Sequence, residues 1–149
     1  MSQRPPPAWV VDTSVAVKWF FEEPDSSAAL EILRDARSGD RLLLVPDLIF
    51  AELGNAIRKR VVRDGLAPED GALIVAAFSR LPFGAVLRTP PLLPAAYRLA
   101  LEHGCTVYDA VFLAVSSTAG VGLITADERL YRAVAGKLPG IERLGGRGR

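Results

Sequence analysis

The chain has 149 residues, half of them hydrophobic and 23% charged, with 18 basic against 17 acidic side chains. That length suits one compact domain with one core, and the mixture of apolar and charged segments excludes a disordered or fibrous chain. A net charge of +1 gives no global field for a nucleic acid or an anionic membrane, so any anionic substrate must be attracted locally.

The opening "MSQRPPPAW" has no apolar stretch, and its prolines make a stiff arm; residues 1–8 are expected to be flexible and are not read as a secretory signal. A single domain is expected over 9–144, with a disordered tail at 145–149. Cys105 is the only cysteine, which excludes an internal disulfide and suits a reducing compartment. No apolar run reaches the roughly 18 residues a membrane helix needs, so a cytoplasmic protein without a membrane partner is expected.

Strand-like runs follow in order: Trp9 to Val11, Leu42 to Val45, Ala85 to Leu87, Gly122 to Thr125 and Ile141 to Leu144. Most are continuously apolar, as in strands covered on both faces. Helical periodicity fills the gaps. It is expected over Val15 to Phe21, Ser26 to Arg37, a long segment ending at Gly65, a segment opening at Pro68, Pro94 to His103, Tyr108 to Ala119 and Asp127 to Ala135. Strands thus alternate with helices, and paired helices are inserted twice. This order predicts a three-layer α/β/α sandwich around a central, mostly parallel five-stranded sheet, because parallel neighbours need crossovers. In such sheets ligands bind at the carboxyl ends of the strands.

Asp12 ends the first strand and Asp127 follows the fourth, so both fall at that edge. Glu52 interrupts the apolar face of "LIFAELGNAI", with Asn55 one turn further along. Asp109 opens the apolar helix "YDAVFLAV", where a carboxylate suits the helix dipole. Asp109 and Asp127 also sit where helix caps are wanted, so position alone leaves capping and chemistry both open. Glu52 lies inside its helix and has no such role, while Ser14 is placed to cap the first helix in place of Asp12. Four converging carboxylates repel unless protonated or joined by a cation. Oxygen-ligated Mg²⁺ or Mn²⁺ meets that need, and metal-assisted phosphodiester hydrolysis is the chemistry implied.

Taken in order, "VVDTSVAVKWF", "PDLIFAELGNAIRK", "TVYDAVFLAVS" and "LITADERL" resemble the motifs of PIN domains, and among them the VapC toxins of bacterial toxin–antitoxin pairs. The resemblance implies a Mg²⁺-dependent endoribonuclease that cuts structured RNA such as tRNA or rRNA and is neutralised by a VapB-like antitoxin. It also implies a homodimer. It makes Asp12, Glu52, Asp109 and Asp127 the catalytic tetrad, with Asp12, Asp109 and Asp127 holding metal and Glu52 directing the attacking water. Ser14 and Thr125, with Asn55, are the groups expected to orient carboxylates or water.

The RNA-binding residues stay open. Lys18 and the run Arg58 to Arg63 are the visible local positive charge, although cations at a helix C-terminus also serve the dipole. Trp19, Phe20 and Phe21 suit base stacking or, more commonly, a core. The terminal "RGR" is a further candidate. His103 has no second His or cysteine cluster to make a metal site.

Two other readings compete. An Asp after the first strand also fits the nucleophile of haloacid-dehalogenase-type phosphatases, but Ser14 stands where those need a second Asp. A catalytically silent PIN-fold binding module would act through antitoxin or other protein contacts, and its sign would be erosion of the tetrad, which is intact.

Overall fold

The computed structural model describes residues 4–146. Residues 1–3 of the expected arm and 147–149 of the expected tail, including "RGR", lie outside them. The elements run β1 (Ala8–Val11), α1 (Thr13–Val17), α2 (Ser26–Ser38), β2 (Leu42–Pro46), α3 (Leu48–Asp64), α4 (Pro68–Phe78), β3 (Ala85–Leu87), α5 (Thr89–His103), α6 (Val107–Ala119), β4 (Gly122–Thr125), α7 (Glu128–Val134) and β5 (Ile141–Arg143).

All strand pairs are parallel, in the order β3-β2-β1-β4-β5. The chain therefore steps outward from β1 to β3, returns past β1 to β4, and continues to β5. Crossovers of the usual right hand then put helices on both faces, giving the three-layer α/β/α sandwich. The reversal falls between β1 and β4, the topological switch point at which open parallel sheets leave a crevice. Asp12 and Asp127 follow the two strands that flank it.

The central strands are sealed on both sides, with Val10, Val11, Val45 and Leu123 fully buried. On α6 every residue from Ala110 to Ser116 is buried, which explains why its sequence lacks a polar face. An aromatic cluster fills the space beside α3 and α4: Trp19, Phe20, Phe50 and Phe83 ring Phe78 at centroid distances of 5.4–6.4 Å. Gly122 marks the closest approach in the sheet. A Cβ there would stand 2.3 Å from the Trp9 ring and 2.7 Å from the Gly140 carbonyl oxygen.

Three details differ from the sequence reading. Helix pairs bridge three strand connections, not two: the separate helices expected at Pro94 to His103 and Tyr108 to Ala119 make the third pair, between β3 and β4. The first helix ends at Val17 and continues as i→i+3 turns through Phe20, which lets Trp19 turn inward and donate from Nε1 to the Ala29 carbonyl at 2.9 Å. Helix α5 starts at Thr89, five residues before the expected Pro94. Pro90 and Pro91 occupy its first turn, where no backbone N–H is needed, and Asp47 accepts from the Thr89 N–H at 3.1 Å.

Candidate active site

The first carboxylate is fixed by the turn from β1 into α1. Asp12 is 6% exposed and is itself the N-cap of α1, accepting the Val15 N–H at Oδ1 over 3.3 Å. The expectation that Ser14 would serve as that cap is thus corrected. Ser14 instead donates its hydroxyl to Asp12 Oδ1 and accepts the Ala126 N–H at 2.9 Å, tying α1 to the segment after β4. Thr125, fully buried at the end of β4, donates to Asp12 Oδ2 and accepts the Asp127 N–H at 3.0 Å. Two hydroxyls from neighbouring strand ends therefore hold both oxygens of one acid.

The other three acids approach from helices. Glu52, half-buried on α3, accepts the Thr13 hydroxyl at Oε1 over 2.8 Å. Asp109 lies in the first turn of α6, but Thr106 is the cap there and accepts the Asp109 N–H at 3.1 Å. The Asp109 carboxylate is consequently free of capping duty. Asp127 does cap α7, accepting the Arg129 and Leu130 N–H groups at 2.9 and 3.1 Å, both on Oδ1, which leaves Oδ2 without a capping bond. Capping and participation in the site are thus compatible at this residue.

Asn55 does not join them. It is exposed on α3, and no hydrogen bond links it to the carboxylates among the described residues. Thr13 takes the place the sequence reading gave to Asn55. Its only sequence signal was its position between Asp12 and Ser14.

Burial dominates the electrostatics of these acids, with smaller contributions from their neighbours' charges. Burial pushes the Asp12 carboxyl up to about 6 against the hydrogen bonds of Ser14, Thr125 and Val15, and the charge of Asp127 adds to the rise. Glu52 is raised first by burial and then by Asp109, against its Thr13 bond. Asp109 is raised by burial, with Thr106 and the Arg129 charge opposing and Asp127 reinforcing. None of the four forms a salt bridge among the described residues, whereas Glu23, Asp35, Asp64 and Glu128 do.

An all-oxygen set of this kind is the chemistry a hard divalent cation prefers. The described residues hold no ready-made cage of three acidic, His or Cys side chains. Mg²⁺ does not require one, since it binds through one or two carboxylates and keeps several waters. The residues present fit such an ion.

Most of the candidate RNA contacts are already engaged. Lys18 Nζ bonds Glu23 at 3.2 Å and the Pro24 carbonyl at 2.8 Å. Arg60 pairs with Glu23 and lies 4.2 Å over the Phe21 ring. Trp19 is core. Arg58, Lys59 and Arg63 remain exposed on α3, and Arg129 is the exposed cation whose charge reaches Asp109. Among the described residues no helix is long and apolar enough to cross a membrane.

An α/β/α sandwich with a buried acid and three half-buried ones around its switch point defines a class that sequence comparison then specifies. The PIN domain family matches residues 9–136. Ribonuclease VapC12 of Mycobacterium tuberculosis is 34% identical over 126 residues, spanning 83% of this chain and 90% of its own. Ribonuclease VapC3 of Pyrobaculum aerophilum is 32% identical over 123 residues, spanning 81% and 90%. The crystal structure of PAE2754 from Pyrobaculum aerophilum superposes with a TM-score of 0.67 at 25% identity, covering 93% of this chain and 85% of that one. The chain belongs to the PIN domain family, among its VapC-type members.

Proposed function

We propose that this protein is a metal-dependent endoribonuclease, the toxin of a toxin–antitoxin pair, that hydrolyses phosphodiester bonds in structured RNA such as tRNA or rRNA. The observation that carries the reading is the set of four acids, Asp12, Glu52, Asp109 and Asp127, none of which forms a salt bridge among the described residues; the first three are raised by burial and, to a smaller degree, by a neighbouring acid. A bound divalent cation would offset the repulsion within such a set. The curated relatives, named ribonucleases, support the same chemistry.

In this reading Asp12, Asp109 and Asp127 hold Mg²⁺, or Mn²⁺, which when bound polarises a phosphoryl oxygen and acidifies water. Asp12 is the rigid member, clamped by Ser14 and Thr125. Glu52 comes from α3, held by Thr13. Its proton affinity, raised by burial, suits it to take a proton from the attacking water as the new P–O bond forms and the bond to the leaving ribose oxygen breaks. Exposed Arg129, beside the acids, is suited to a flanking phosphate.

The partners proposed are the RNA substrate, a VapB-like antitoxin and a second copy of the chain. Leu73 and Val75 on α4 and Leu93, Tyr97 and Leu101 on α5 leave apolar side chains 41–70% exposed, which supports protein contacts. The test of the activity is cleavage of bacterial RNA by purified protein with chelator, then with Mg²⁺ or Mn²⁺ restored. Cleavage that needs the cation supports the reading; cleavage indifferent to chelator overturns it. No cleavage under any condition favours the silent binding module.

A further inference from the structure

We infer that Thr13 is a positioning residue for Glu52: its hydroxyl, through the 2.8 Å bond to Oε1, holds the Glu52 carboxylate in place. The inference rests on the nuclease reading for its effect on rate, but its geometry stands independently.

Glu52 has the weakest tether it could have and still be held. It projects from mid-helix on α3 on a side chain with three rotatable bonds, half-buried beside a like charge. A neighbouring like charge favours a rotamer that swings the carboxylate toward solvent. Among the described residues Thr13 is the one hydrogen-bond partner of that carboxylate. The donor is itself rigid. Thr13 is the first residue of α1, between the Asp12 cap and Ser14, and a β-branched side chain in a helix has few χ1 rotamers.

Successive helix residues point about 100° apart, so the first turn of α1 serves both walls. Ser14 faces back across β1 and β4 to Asp12; Thr13 faces outward to α3 and Glu52, 39 residues away. The bond engages Oε1 and leaves Oε2 to meet water. A hydroxyl suits this task better than a cation, because a Lys or Arg here would neutralise the base and block the metal.

The experiment compares Thr13→Val, which keeps shape and removes the donor, with Thr13→Ser, which keeps the donor. Single-turnover cleavage of bacterial total tRNA with Mg²⁺ gives a limiting rate and the enzyme concentration for half that rate. Thr13→Val is expected to lower the limiting rate about 10- to 100-fold with the half-rate concentration unchanged, and Thr13→Ser to recover most of the loss. Crystal structures of both variants read Glu52 directly, whatever the activity: its carboxylate leaves its place in Thr13→Val and keeps it in Thr13→Ser. A Glu52 carboxylate that stays in place in Thr13→Val overturns the inference, as does a parental cleavage rate in that variant. A parent protein that does not cleave RNA overturns the nuclease reading alone, and the crystal structures still decide the tether.

Discussion

The Ser14 hydroxyl receives the Ala126 N–H at 2.9 Å, joining residues 112 positions apart across the boundary between β1 and β4. The same hydroxyl donates to Asp12. One small side chain therefore closes the sheet's switch point and aims its most buried acid.

Ser14→Ala removes both bonds and strands the Ala126 N–H. A loss of about 1–3 kcal/mol in unfolding free energy is expected, measured by urea denaturation. Cleavage should fall about 10- to 100-fold, more than the stability change explains at a temperature where the variant is folded.

Asp12→Asn should abolish cleavage while leaving the metal-free protein as stable as the parent or more so. The sign follows from the raised carboxyl. Asp12 ordinarily titrates near 3.8 and in the folded protein near 6, so between those values the native state binds more protons than the unfolded chain. Stability that is fully present below 3.8 is lost as pH rises through about 6. Melting temperature of the parent in chelator should therefore decline across this window relative to Asp12→Asn, by the equivalent of roughly 2–3 kcal/mol. Parallel curves for the two proteins would contradict it.

Capping and chemistry separate at the start of α6. Thr106→Ala should cost about 1 kcal/mol through loss of the cap, with cleavage retained. Asp109→Asn should do the reverse, keeping the melting temperature and losing cleavage. Equal destabilisation by both would return Asp109 to a structural role.

Gly122→Ala should be strongly destabilising, because the added methyl meets the Trp9 ring and the Gly140 carbonyl with backbone on one side and a large ring on the other. A cost of about 1–3 kcal/mol or more is expected. In a Trp9→Leu background, where the ring is gone, the penalty should shrink.

The strands were legible because a sheet covered on both faces writes itself as short apolar runs, and the four acids stood out because each adjoins hydrophobic sequence. Glu52 was clearest, since nothing local in a helix explains it. The helix starts were less so: Thr89–Pro91 reads as loop until Asp47, 42 residues earlier in the chain, supplies a partner. The same limit hid Thr13. Its role depends on a bond to α3 that no local pattern encodes, whereas Asn55, at helical spacing from Glu52, looked placed and is exposed. Lys18 and Arg60 stood out as local positive charge, and their shared partner Glu23 is brought to both by the turn after α1.

The most direct measurement is sequencing of RNA 5′ ends after brief expression of the parent and of Asp12→Asn in a bacterial host. The parent should generate new ends at a small number of discrete sites in structured RNA, and Asp12→Asn none of them. The same ends at the same abundance in both would show that the acid at the end of β1 does no chemistry.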